Sequence, residues 1–241
     1  MKGNNIIRSV FPLITVILCC TIAVMALLHY ADSIPAFSLT SNRLTLVIDA
    51  GHGGIDGGAV STDGTRESDI NLAIALRLDS IVRFCGQQTE MTRWDDSSKS
   101  DMLSYSERED LKYRADLANR TEQAVLISIH QNDFPTAQPR GSQVLYSAFG
   151  SSNILGRQLQ ENLVSQLDPE NRRLAAPAPR ELYLTAHVRC PAVLVECGFM
   201  SNNFEVMKLK DPVYQTQLAT VIAATYLSYI GETTQSEYGV I

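Results

Sequence analysis

The stretch Leu44 to Gly54 reads LTLVIDAGHGG. The run LTLVID is rich in β-forming residues and passes straight into a glycine-rich turn carrying His52. That pattern predicts a buried strand whose end delivers a histidine to a loop. Two later runs repeat it. AVLISI (Ala124 to Ile129) is followed by His130, and AVLVE (Ala192 to Glu196) ends on a glutamate. Three apolar strands that each finish on a group able to bind a metal or move a proton would bring those groups to one rim of a sheet.

Helical patterns lie between these strands. Asp69 to Phe84 places Ile70, Ala73, Ile74, Leu78, Ile81 and Val82 at helical spacing, with Gly86 as a stop. Ser106 to Glu109 fits a capping box that opens a helix through Leu111, Ala115 and Ala118. Asn153 to Leu167 repeats leucine every fourth residue, and Pro212 starts a last amphipathic helix through Tyr229. Thr89 to Thr92 and Gln143 to Ser147 read as further short strands. Asn171 to Arg189 lacks periodicity and reads as a long loop bordering a site. The alternation implies an α/β fold, a single mainly parallel or mixed sheet of about six strands flanked by helices. The globular domain is expected over residues 44–230, with 231–241 as a flexible tail.

Ahead of this domain, Val10 to Leu28 holds no charged residue and is about long enough to cross a bilayer as a helix. Lys2 and Arg8 precede it, so the positive-inside rule puts the N-terminus in the cytoplasm and the body outside. Residues 1–30 therefore read as an N-terminal transmembrane signal-anchor and 31–43 as a linker. A cleaved signal peptide, releasing a secreted body, is the alternative; the length of the apolar run and the lack of a clean cleavage site favour the anchor. The formal net charge of −6 argues against nucleic acid as a partner. Five scattered cysteines give neither a disulfide framework nor a CxxC metal motif.

His52, Glu67 and His130 form a candidate metal set. Zinc accepts imidazole nitrogen and carboxylate oxygen, and catalytic zinc sites use three protein ligands plus water. Glu67 lies 15 residues after His52, across a glycine-rich loop that can fold back. Glu196 is the candidate general base, able to take a proton from water and pass it to a leaving amine. Each residue also fits a plainer role: His52 as a turn residue, His130 as a core histidine, Glu67 as an acid at a helix start. Glu196, preceded by four apolar residues, is hardest to explain that way. The loop GHGGIDGG lacks the ending of a phosphate-binding loop. Cys197, beside Glu196, would face the opposite side of its strand. His29 and His187 read as bystanders.

Four blocks together resemble the type-3 family of zinc-dependent N-acetylmuramoyl-L-alanine amidases: LVIDAGHGGIDGGAV (Leu46 to Val60), RESDINLAIAL (Arg66 to Leu76), LISIHQND (Leu126 to Asp133) and PAVLVECGFMSNNFE (Pro191 to Glu205). The resemblance implies one Zn2+ per chain on His52, Glu67 and His130, with Glu196 catalytic. It implies peptidoglycan as substrate, cut between the lactyl group of N-acetylmuramic acid and L-alanine. A zinc peptidase acting within the stem peptide and a non-catalytic wall-binding protein are the alternatives. Asp133 stands where the family often has alanine. The anchor, the absence of wall-binding repeats, and the stretches Met91 to Asp96 and Ser106 to Arg120 are similar to the membrane-anchored sporulation subgroup, which helps make muramic δ-lactam in spore cortex. That likeness implies a protein activator as a candidate partner.

Overall fold

The strand read from LTLVID is β1, Thr45–Ala50, and all six of its residues are buried. Burial on both faces explains the consecutive apolar residues Leu46, Val47 and Ile48, as in a central parallel strand. The computed structural model describes residues 44–98 and 105–237, with side chains to 233. The expected membrane segment and linker lie outside these residues. Among the described residues no helix is long and apolar enough to cross a membrane.

The chain continues through α1 (Glu67–Phe84), β2 (Gln88–Met91), α2 (Glu107–Arg120), β3 (Ala124–Asn132), β4 (Gln143–Tyr146), α3 (Ser152–Leu167), β5 (Ala176–Pro177), α4 (Tyr183–His187), β6 (Ala192–Phe199), α5 (Asn203–Lys210) and α6 (Pro212–Glu237). These strands form one six-stranded sheet in the order β2-β1-β3-β6-β4-β5. The first four are mutually parallel, β4 runs antiparallel to β6, and β5 follows β4 in parallel, so the sheet is mixed.

Strand alternation sorts two cores. Leu46, Ile48, Val125, Ile127, Val193 and Val195 join residues of α1, α3 and α6 in the larger one. Val47, Leu126 and Ala192 pack with α2 and α4 in the smaller. Residue α6 positions Leu218, Ile222 and Tyr226 are fully buried at helical spacing. Each such side chain contributes roughly 1.5–3 kcal/mol of transfer free energy.

Several expectations are corrected. β3 and β6 do not stop at Ile129 and Glu196, because their ladder continues past a register shift to pair Asn132 with Phe199. His130 and Glu196 therefore sit within strands. The long loop holds β5 and the short α4. α5, unexpected from sequence, is capped by Asn202, whose side chain accepts from the amides of Phe204 and Glu205. The tail does not begin at 231: α6 runs on to Glu237, and Gln158 Nε2 donates to Glu232 Oε2 at 2.9 Å, holding the helix against α3.

Candidate active site

The loop after β1 is shaped by unusual backbone. His52 takes φ +59°, a left-handed conformation uncommon for any residue but glycine. Two buried arginines hold it there. Arg114 donates to the carbonyls of Ala50 at 2.9 Å and His52 at 2.8 Å. Arg93 donates to the carbonyls of Ala50 at 2.9 Å, Gly51 at 3.1 Å and Ser68 at 2.8 Å. Arg114 is itself paired with Asp49 at 2.9 Å and Asp110 at 2.6 Å. Burial raises the Asp49 carboxyl, but Arg114 and the hydroxyls of Ser128 and Thr92 outweigh it and keep it ionised. Gly51 is required by close approach: a Cβ there would lie 2.3 Å from the His130 ring.

This frame brings His52, Glu67 and His130 together. One ligand atom from each lies within 4.8 Å of the others. Glu67, the first residue of α1, is buried, with His52 Nε2 at 3.4 Å from one oxygen and His130 Nδ1 at 3.0 Å from the other. The amide of Ala59 donates to Oε2, and the amide of Gln131 and the side chain of Asn71 donate to Oε1. Asp56 Oδ2 lies 2.7 Å from His52 Nδ1, so Nε2 of the same ring is the atom turned toward Glu67. A carboxylate that fixes the far nitrogen of an imidazole is the usual support of a histidine ligand.

Glu196 pairs with His130 across the parallel β3–β6 ladder and lines the same cavity. Its Oε2 is buried and has no hydrogen-bond partner. Cys197 faces the other way, into the larger core, and burial pushes its thiol far up, which removes it as a nucleophile. His187 stacks on Tyr183 at 3.8 Å and does not line the cavity. The structure thus gathers all four sequence-derived candidates and leaves His187 aside.

The charges of the group are coupled. Burial lowers the His52 pKa, yet Asp56 and then Glu67 outweigh it and carry it up to about 10. Burial raises Glu67, but the hydrogen bonds and charges of His130 and His52 hold it well below the usual carboxylate range. Glu196 is pushed up to about 7, by burial first and by Glu67 among its neighbours. A site that holds protons on imidazole to balance its acids is a site built for positive charge. Two imidazoles and one carboxylate are a zinc donor set, and the residues present fit such an ion.

Sequence reading missed the supporting shell. Asp56 is four residues after His52, and Asn71 is four after Glu67 on one helix face, a spacing that offered a signal. Arg114, four residues after Asp110, offered the same signal, but its bonds to Asp49, Ala50 and His52, like those of Arg93 to Ala50 and of Gln131 to Glu67, join residues distant in the chain and gave none.

The family model described as N-acetylmuramoyl-L-alanine amidase matches residues 46–226. The germination-specific N-acetylmuramoyl-L-alanine amidase of Bacillus subtilis is 33% identical over 206 residues, covering 83% of this chain and 86% of that protein. The CwlD amidase from Clostridioides difficile, solved in complex with the GerS lipoprotein, is 35% identical with a TM-score of 0.74, covering 78% of this chain and 99% of that one. A second N-acetylmuramoyl-L-alanine amidase structure, from Clostridium difficile 630, is 32% identical with a TM-score of 0.71, covering 79% and 98%. The matched span takes in the whole site, and the chain belongs to the N-acetylmuramoyl-L-alanine amidase family, enzymes that act on cell-wall peptidoglycan.

Proposed function

We propose that His52, Glu67 and His130 hold one zinc ion and that Glu196 moves the proton in hydrolysis of the bond between the lactyl group of N-acetylmuramic acid and L-alanine. The observation that carries this is the buried, unpartnered Oε2 of Glu196 beside a converging His–Glu–His set. Zinc bound there supplies a Lewis acid that polarises the carbonyl and makes water acidic enough to react near neutral pH. Glu196 takes a proton from the attacking water as it adds to the carbonyl carbon. When the C–N bond breaks, Glu196 returns that proton to the alanine nitrogen, leaving a free amine and a lactyl carboxylic acid that loses water's second proton to solvent. Asp56 orients His52, while Asn71 and the Gln131 amide fix Glu67.

The zinc-loaded full chain acting on purified peptidoglycan should expose new L-alanine amino termini, lost with chelator and restored by zinc. Glu196→Gln should keep its zinc and lose turnover by about 10²–10⁴-fold, the range of one acid–base group. New termini on another stem residue, or full turnover in that variant, would remove this reading.

The chain organisation we propose is an anchor over 1–30, a linker over 31–43 and a catalytic domain that starts at 44, closes with α6 and is held outside the membrane, supported by the uncharged run Val10 to Leu28 behind Lys2 and Arg8. A role in spore-cortex maturation with a lipoprotein partner is supported by the germination-specific relative and by the solved complex of the Clostridioides difficile amidase. Loss of muramic δ-lactam from cortex in a deletion strain is the expected result; unchanged cortex would overturn that role.

A further inference from the structure

A cavity of about 290 Å³ extends from Glu196 past the His–Glu–His group to α4. Leu111, Leu184 and Leu194 give it an apolar wall. Its lining also includes the exposed acids Glu107, Asp133 and Glu181. Glu107 opens α2, Asp133 follows β3, and Glu181 stands two residues before α4, so three separate elements converge on one rim. Among the described residues none of the three has an ion-pair partner. The one Arg or Lys in the lining, Arg114, is already committed to Asp49 and Asp110. At the inner end lies the unpartnered Oε2 of Glu196, which marks where the reacting amide sits.

The rim is held in place. The Asp133 loop is tied to the turn after β6, where Phe134 N donates to Ser201 Oγ at 3.2 Å and Asn202 Nδ2 donates to the Pro139 carbonyl at 3.2 Å. Farther along, Gly141 N donates to Glu205 Oε1 at 3.0 Å. Glu107 is fixed in the first turn of a helix whose cap, Ser106, accepts from the Glu109 amide. An apolar wall suits the alanine methyl next to the scissile bond. A rim of exposed carboxylates without ion-pair partners among the described residues favours a cation and repels an anion.

Stem peptides carry such a cation when the side-chain amine of their diamino acid is free, and lose it when cross-linking acylates that amine. We propose that the Glu107–Asp133–Glu181 rim selects stem peptides bearing a free ammonium, so that the enzyme disfavours stems whose own side-chain amine is acylated in a cross-link. This selectivity rests on the amidase reading above.

The test uses the zinc-loaded full chain and two soluble disaccharide peptides of equal length, one with the diamino acid's side-chain amine free and one with it N-acetylated. Acetylation removes the charge without the bulk of a cross-link. The free amine should be favoured in kcat/KM by roughly five- to twentyfold, what three exposed pairs can supply. The preference should shrink as salt screens the rim, and should fall toward unity in E107Q/D133N/E181Q, mostly through KM. Equal rates in the wild type, or a preference that survives both salt and the triple variant, would overturn the selectivity. The salt series decides even if the triple variant fails to fold. Cleavage of neither peptide at the lactyl–alanine bond would sink the amidase reading itself, a different outcome from cutting both equally.

Discussion

His130 and Glu196 reach the site on strands, whereas His52 and Glu67 reach it on a loop and the first turn of the helix beyond. The strand pair is placed by backbone ladders between neighbouring apolar strands. The loop pair has no ladder of comparable length, only isolated bridges between Gly53 and Asp56 and between Val60 and Arg66. Side chains do the work there instead: Arg93 and Arg114 bind loop carbonyls from below, and Asp56 and Asn71 hold the imidazole and carboxylate. One half is therefore set by the sheet, the other by buried polar groups whose removal leaves charge without a partner.

The sharpest way to break this contrast is at Arg114. Arg114→Ala leaves Asp49 and Asp110 buried and unpaired and frees the carbonyls of Ala50 and His52. The expected loss is about 3–5 kcal/mol in denaturant unfolding of the metal-free protein. A loss under about 1 kcal/mol would mean that the loop holds itself. Next in size is Gly51→Ala. Its new Cβ would drive into the His130 ring, so overpacking of about 1–3 kcal/mol is expected together with weakened zinc binding. Wild-type zinc content and melting temperature in this variant would show that the ring can retreat at no cost. Asp56→Asn tests the loop side alone. Loss of the carboxylate on His52 Nδ1 should weaken zinc by about 10–100-fold in competition with a chelator, with the fold intact.

The same contrast governs what could be read in advance. His130 and Glu196 were visible because each ends a largely apolar run, AVLISI and AVLV, and runs of that kind are strands buried on both faces. That the two are cross-strand neighbours was not visible, since register depends on how the intervening helices pack. Glu67 was found as an acid after a glycine-rich loop and within the block Arg66 to Leu76; its burial under the Ala59 and Gln131 amides is a tertiary fact. α5 escaped notice because only Val206 and Leu209 of its eight residues are buried, too few to mark a period. The last turns of α6 escaped because Thr233, Thr234 and Gln235 lack the apolar repeat, and the start of that stretch is tied to its neighbour by a polar contact at Glu232. β4 carries no sign of its antiparallel sense, because alternation reads the same in either direction.

The smallest expected effect concerns the strand side, where Glu196 is placed well and solvated badly. In the metal-free protein its carboxyl is pushed up to about 7 by burial and by Glu67, from an ordinary value of 4.5. The folded state therefore holds this proton more tightly than the unfolded chain. Between those two values the folded state binds more protons, so stability falls as pH rises through the window. Below about 4.5 the group is protonated in both states and costs nothing; above about 7 the full cost is present. Glu196→Gln removes the charge while keeping the shape. The metal-free variant should thus be more stable than the wild type by on the order of 1–3 kcal/mol at pH 8. That advantage should shrink through neutrality and vanish at pH 4. Zinc should abolish it, because a nearby cation stabilises the carboxylate in the wild type and leaves the amide indifferent. Paired melts across pH, with and without zinc, would check it. A difference that stays flat from pH 4 to pH 8 would mean that the Glu196 carboxylate is solvated in the fold, and that its position on β6 carries no energetic cost for the chemistry proposed for it.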